Sequence, residues 1–468
     1  MSINQGIFPT ELKLAYITPI YKNGDKTLIN NYRPISILSV FSKIFEKLMY
    51  KRLFNFINKN NILFKHQFGF REGYGTSLAL IYLIDKINQA INNGEFVIGV
   101  FLDLTKAFDT VNHNILLQKL ERYGIRGIAL QWFKSYLNER NQCVKYHYAL
   151  SLKSTVSHGV PQGSILGPIL FLFYINDLAL VSQELFMLMF ADDTNIFITG
   201  KNIINLLNIM NNELLKINDW MNANKLSLNA VKTQYMIING TKKLPPMDYN
   251  ININGIQINR VNSVKFLGII IDCKLTWNDH IIYIKNKIAK SIGILCKARK
   301  KLNEQTLLTL YFSFIHPYLN YGIEIWGNTY KKYTNLLYLL QKKSIRVIKC
   351  IGPRESTIDI FKEYNIMNVY EIYQVNVSLF MFKYCKGNLP SIFSDMFTST
   401  NTNRYNLRKP YNLNSPLFRL NSCQRYISFT GVKIWNTVSS KINCNMSIHC
   451  FHKNVKQIIK KNTIQLHS

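Results

Sequence analysis

Two short apolar runs, each closed by aspartate, limit what this chain can fold into more than anything else in it. Phe96-Val-Ile-Gly-Val-Phe-Leu102 follows Asn93-Gly94 and ends at Asp103. Leu185 to Phe190 runs into Ala-Asp-Asp-Thr-Asn and then Ile196-Phe197-Ile198. Continuous apolar runs of this length, bounded by turn residues, read as buried strands. The second pattern predicts a hairpin with Asp192 and Asp193 at its turn. If the strands are neighbours, Asp103, Asp192 and Asp193 converge on one rim. Converging carboxylates repel one another and are stable together only when cations neutralise them. Hard oxygen ligands select Mg²⁺ or Mn²⁺. Two such ions about 3.5–4 Å apart clamp the attacking and leaving oxygens of a phosphoryl transfer. A pair of aspartates at a turn is weak evidence alone, because Asp favours turns for its own hydrogen bonding.

The charge balance points the same way. Lys and Arg number 57 against 26 Asp and Glu, a formal +31, although only 18% of residues are charged. Acids are scarce as much as bases are abundant, and a surface this basic favours nucleic acid or an anionic membrane. Part of the excess fits an AT-rich coding sequence that inflates Lys, Asn and Ile. With 468 residues, 47% of them hydrophobic, the chain can build sizeable cores in roughly three domains. Its eight cysteines contain no Cys-x-x-Cys pair, so reduced intracellular thiols are expected rather than a zinc ribbon or a disulfide scaffold. Ile165 to Ile175 is the longest apolar stretch; Gly167 and Pro168 break it, and no membrane span or signal peptide is expected.

Along the chain, Phe41, Ile44, Phe45, Leu48 and Met49 recur at helical spacing, with Ser39 or Ser42 as N-cap and Lys43, Lys47 and Lys51 on a solvated face. After about residue 272 the texture turns helical. Ile281, Ile284, Ile288, Ile292 and Leu295 predict an amphipathic helix interleaved with lysines. From Asn401 onward there is no acid, and eleven bases follow: Arg404, Arg408, Lys409, Arg419, Arg425, Lys433, Lys441, Lys453, Lys456, Lys460 and Lys461. Between the strands, Ser157 to Pro168 spaces Gly159, Gly163 and Gly167 so that backbone can approach a ligand closely. Gln162 offers an amide donor and acceptor there, and Pro168 suits the first turn of the helix that follows.

Three blocks, FLDLTKAFDTV (101–111), HGVPQGSILGPILFLFYINDL (158–178) and FADDTNIF (190–197), resemble signature blocks of reverse transcriptases, and more narrowly those of non-LTR (LINE-type, jockey-like) retrotransposons. Flanking blocks agree in order and spacing: NYRPISILSVFSKIFEK (31–47), HQFGFREGYGT (66–76), LSLNAVKT (226–233) and VKFLGIIID (264–272). IHPYLNYGIEIWG (315–327), LQKKSIRVI (340–348) and YISFTGVKIWNTV (426–438) extend the resemblance over essentially the whole chain.

The resemblance implies an α+β right-hand polymerase, with fingers, an antiparallel palm sheet and a helical thumb, followed by a basic C-terminal extension. It divides the chain into fingers and palm over 1–272, a helical thumb-like region over 273–350 and the extension over 351–468. It implies an RNA-directed DNA polymerase, a nucleotidyltransferase using two Mg²⁺ ions, or Mn²⁺, with an RNA template, a DNA primer and dNTPs as partners. Nucleus and cytoplasm are the compartments it implies. Asp103, Asp192 and Asp193 would be the metal-binding triad, with the carbonyl of Leu104 a further ligand. Phe108 matches the position of an aromatic gate against a ribose 2′-OH. Gln162 and Gly163 would sit beside the incoming nucleotide, Arg33 would hold its triphosphate, and Lys232 would protonate the departing pyrophosphate. Phe266, Leu267 and Gly268 match a hairpin that grips the primer end; Gln67, Gly69, Phe70 and Arg71 fall in a block associated with the template.

Two departures accompany the match. The opening SINQGIFPTELK resembles the middle of the fingers, so truncation at the N-terminus is expected, as is a lack of the family's upstream endonuclease domain, with target nicking expected to come from elsewhere. Cys444, His449, Cys450 and His452 do not match a zinc-knuckle spacing. The rival readings are a catalytically inactive nucleic-acid-binding remnant of such an enzyme and an intron-maturase-like splicing factor.

Overall fold

The computed structural model describes residues 2–240, 250–398, 412–442 and 444–465, with side chains as far as Lys461. Of the C-terminal bases, Arg404, Arg408 and Lys409 lie outside the described residues.

The first part of the chain alternates helices and strands. In order these are α1 (Ser2–Gln5), β1 (Leu14–Tyr21), β2 (Tyr32–Ile37), α2 (Val40–Asn60), α3 (Thr76–Asn92), β3 (Phe96–Leu102), α4 (His113–Arg122) and α5 (Gly127–Leu137). There follow β4 (Arg140–Tyr146), β5 (Ala149–Leu150), β6 (Ser154–Val156), α6 (Gly167–Ile175), β7 (Phe186–Phe190), β8 (Asp193–Gly200), α7 (Ile203–Ala223) and β9 (Gln234–Ile238). Four short strands, β10 (Asn252–Ile253), β11 (Ile256–Gln257), β12 (Asn259–Arg260) and β13 (Ser263–Phe266), lead to β14 (Ile269–Asp272). Beyond Asp272 the described residues form helices: α8 (Asn278–Ala298), α9 (Glu304–Phe314), α10 (His316–Asn320), α11 (Ile323–Trp326), α12 (Lys331–Lys349), α13 (Ile358–Glu363), α14 (Val369–Cys385), α15 (Ile427–Ser439) and α16 (Ile448–Gln465).

The central sheet runs β12-β9-β3-β8-β7, antiparallel except for the β12·β9 edge. β3 is apolar throughout because both its faces are covered. Phe96, Ile98, Val100 and Leu102 enter one core with α4 to α7, while Val97 and Phe101 enter the other with α3 and the helices after β14. A side chain at Gly99 would meet the Phe197 ring at 2.6 Å, so the only non-bulky residue in the strand makes room for its neighbour. A second sheet, β2-β1-β4-β5 with β6 on β4, contains a parallel β1·β4 pair that local pattern did not disclose.

The expected strand at 96–102, the hairpin, the helix opening at Pro168 and the amphipathic helix over 281–295 are all present, and the apolar run at 185–190 forms a strand from Phe186. The helix over 41–49 is present as α2, but it buries a different face. Ser42, Glu46, Met49, Leu53 and Ile57 are buried, whereas Phe41, Ile44 and Leu48 are 67%, 51% and 50% exposed. The reason is a polar anchor. Ser42 Oγ donates to Glu46 Oε1 at 3.1 Å, and Glu46 Oε2 accepts the Ile165 N–H at 2.6 Å, turning this face toward the Gly-rich loop. Ser39 occupies the N-cap position without a side-chain capping bond.

Residues 412–442 and 444–461 are not a detached tail. α15 and α16 pack on α14, and Val432, Trp435, Phe451 and Val455 are buried in the same core as the palm-side residues Val97 and Phe101. All eight cysteines are free thiols.

Candidate active site

The register of the central sheet assembles the rim. Leu102 pairs with Thr194 and Phe190 with Asp193, so Asp103 leaves β3 beside the start of β8, and Ala191-Asp192 form the two-residue turn of the β7–β8 hairpin. Asp103 is held by its backbone: its N–H donates to Thr233 Oγ1 at 3.2 Å and its carbonyl accepts the Asn229 N–H at 2.8 Å. Leu104 bridges Leu228 through the flanking Thr105 N–H and Asp103 carbonyl, so the Leu104 carbonyl takes no part in those two bonds.

The carboxylate charges are felt across the rim. Burial, with the charges of Asp192 and Asp103 added to it, raises Asp193 to about 6. Asp192 is raised by burial and by Asp103, against which Arg33 and Lys22 supply positive charge. Among the described residues, no group of three or more His, Cys, Asp or Glu side chains is set to hold a metal ion as the side chains stand. The donor chemistry nonetheless fits a divalent cation. These are hard oxygens on a shared rim, and a cation would relieve the repulsion that burial makes costly.

The Gly-rich loop lies against the segment after Asp103. Val160 N–H donates to the Phe108 carbonyl at 2.9 Å, Gly159 N–H to Val111 O at 2.7 Å, and His113 Nε2 meets Gly159 O at 2.7 Å. Gln162 Nε2 donates to Asp109 Oδ1 at 2.9 Å, and the Gln162 carbonyl accepts the Ser36 N–H at 2.7 Å. Gly163, at φ +122°, would press a side chain to 2.6 Å from Ser36 O, so this loop can approach β2 only with glycine there. Phe108 is half-buried between Phe171, with ring centroids 4.6 Å apart, and Phe70, at 6.3 Å.

The remaining candidates divide. Arg33 is exposed on β2 with its charge felt at Asp192, and Lys232 is exposed on the turn before β9, next to Thr233. Leu267 and Gly268 form the tip of the β13–β14 hairpin, where Tyr321 OH donates to Leu267 O at 2.6 Å. Phe266 is not at that tip: it is 4% exposed and packs 6.1 Å from Phe101 in the core. Arg71 is turned inward, donating through Nη1 to Phe64 O and Gln67 O at 3.2 and 3.1 Å and stacking 4.0 Å over Tyr74. Gln67 is 2% exposed, and Phe70 is half exposed with φ +53°. Asp109, Glu46, Thr233 and His113 emerge as bracing residues that motif reading passed over. Asp109 stands directly after Phe108, and that adjacency was the one available signal.

The family described as "Reverse transcriptase (RNA-dependent DNA polymerase)" matches residues 20–271. The "Probable RNA-directed DNA polymerase from transposon X-element" of Drosophila melanogaster is 31% identical over 350 residues, which are 73% of this chain and 38% of that protein. The "RNA-directed DNA polymerase from mobile element jockey" of the same fly is 32% identical over 377 residues, 78% of this chain and 40% of that protein. The chain therefore spans about two fifths of the length of these relatives. Among solved structures, telomerase from Candida tropicalis in complex with a TWJ fragment of telomeric RNA is similar at a TM-score of 0.45 and 10% identity, over 96% of this chain and 64% of that one.

Proposed function

The chain belongs to the reverse transcriptases of non-LTR retrotransposons, and from that premise we propose that it copies retrotransposon RNA into DNA at the rim formed by β3 and the β7–β8 hairpin. One observation carries the reading: the antiparallel register brings Asp103, Asp192 and Asp193 to one edge, where the charge of Asp103 bears on both Asp192 and Asp193. Enzymes of this family generally use divalent metal ions. The finer statement, two Mg²⁺ ions held by this triad with the Leu104 carbonyl, is part of the proposal. When bound, such ions neutralise triphosphate charge and lower the cost of ionising the attacking hydroxyl.

The protein's own groups then do the positioning. The primer 3′-OH attacks the α-phosphate of the dNTP; the new P–O bond forms as the bond to pyrophosphate breaks. Arg33 offers a guanidinium to the triphosphate, and Lys232 stands near the rim to return a proton to the pyrophosphate oxygen. Phe108 is the ring this reading sets against a 2′-OH. The Gln162–Asp109 bond sets the loop that flanks the nucleotide, so most of the gain comes from orientation and fixed charge. Fingers and palm over 1–272, thumb over 273–350 and a C-terminal extension over 351–468 are the division this reading takes, with α15 of the extension packed on α3 and its α14 on α11 and α12.

Primer extension by the purified protein on poly(rA)–oligo(dT) with dTTP and Mg²⁺ tests the reading. Metal-dependent elongation is expected. Tight binding of the template–primer with no elongation in either Mg²⁺ or Mn²⁺ would favour an inactive binding remnant instead.

A further inference from the structure

Residues 66–68 run beside β7 through a single parallel bridge. Met189 N–H donates to His66 O at 3.0 Å, Phe68 N–H donates to Met189 O at 2.8 Å, and Gln67 bridges Met189 in parallel. This segment ends against the turn that carries Asp192. There Gln67 Oε1 accepts two buried N–H groups, Gly69 at 2.9 Å and Ala191 at 3.0 Å. Ala191 is 4% exposed and holds φ +58°, a conformation that costs a non-glycine residue and persists only where the surroundings enforce it. Gly69 closes the bracket from below: a side chain there would lie 2.3 Å from Ala191 N. The Ala191 N–H has no ladder partner at the turn, so without the carboxamide oxygen it would be buried and unpaired.

We propose that Gln67 is a positioning residue whose side-chain oxygen pins the Ala191-Asp192 turn, and through it the carboxylates of Asp192 and Asp193, rather than a contact to the template. The inference rests on the polymerase reading for its purpose, but not for its test. Gln67→Leu keeps the apolar stem and removes the acceptor; Gln67→Glu keeps an oxygen at the same reach. Hydrogen exchange of peptides covering 186–200 should speed by at least about tenfold in Gln67→Leu and stay near parental in Gln67→Glu. Mn²⁺ affinity, read from the free-ion EPR signal, should fall about 10–100-fold in Gln67→Leu, as for residues that orient metal ligands. Template–primer affinity should stay within about twofold in both. Gly69→Ala should loosen the same peptides from the other side. The proposal is overturned if Gln67→Leu keeps parental exchange and Mn²⁺ affinity while template–primer binding weakens. A folded Gln67→Glu protein whose turn exchanges as fast as an unbraced one overturns it as well. Exchange and Mn²⁺ binding need no turnover, so a parental protein that extends no primer counts against the polymerase reading and leaves Gln67 to be judged on these two readouts.

Discussion

Gln162 and Phe108 show how neighbours restrict what a side chain can offer. One N–H of the Gln162 amide is committed to Asp109, whose carboxyl burial raises, so what remains to face a nucleotide is the amide oxygen, the second N–H and the loop backbone. Replacing Asp109 by Ala frees the amide and loosens the loop. KM for dNTP should rise about tenfold, the scale of one hydrogen bond to a charged group, with a smaller change in kcat; steady-state kinetics with an unchanged KM would remove Asp109 from this role. Phe108 rests on Phe171 and beneath Phe70, which holds the ring in one orientation. Phe108→Val should therefore admit ribonucleotides, and an unaltered dNTP-to-rNTP preference in single-nucleotide incorporation would reject the gate. Both candidates were legible from the blocks around them. The Gln67–Ala191 bond was not, because it joins residues 124 positions apart and depends on the fold being already in place.

At the scale of elements, periodicity found α2 but not which side of it is covered. Its apolar spacing at Phe41, Ile44 and Leu48 is real, yet the contact that orients the helix is the buried Glu46 reaching the Ile165 N–H, a polar signal with no period. Likewise, β3 and the β7–β8 hairpin were readable as apolar runs, whereas the parallel β1·β4 and β9·β12 pairs join strands whose partner nothing local specifies. The α3–α15 contact gives a test of its own. Asp85 on α3 is 6% exposed, accepts from Gln89 at 2.7 Å and has the Ser428 hydroxyl of α15 beside it, and burial raises its carboxyl from 3.8 to about 6. Folding thus favours the protonated form. The resulting stability is full below about pH 3.8 and is lost as pH rises through about 6. Asp85→Asn cannot ionise, so it should be more stable than the parent at pH 7.5, by about 3 kcal/mol at most, and close to it at pH 4. Equal Tm values at pH 7.5 would contradict this.

One of the two cores runs from Phe68 to Ile459, so the basic C-terminal segment is part of the fold before it is anything else. Several of its bases are engaged internally: Arg419 N and Nε donate to Asn92 at 2.8 and 3.1 Å, Arg425 stacks 4.0 Å over Tyr330, and Lys433 lies 4.2 Å over Phe429. Composition registers this segment only as basic, since charge counting does not show that Trp435 and Val432 are fully buried. A chain ending at residue 398 should aggregate and melt well below the full chain, because α15 and α16 take their half of an apolar interface with them. A soluble truncation with parental Tm would show the segment to be independent after all. Among the described residues no helix is long and apolar enough to cross a membrane, and a formal charge of +31 suits a nucleic-acid partner. The central claim, that this charge and this rim serve RNA-templated DNA synthesis, is tested most directly by comparing the parent with Asp192→Asn in primer extension on an RNA template, alongside template–primer binding. The parent should extend in Mg²⁺, and Asp192→Asn should lose at least about 100-fold in rate with binding unchanged; equal extension by the two proteins would contradict it.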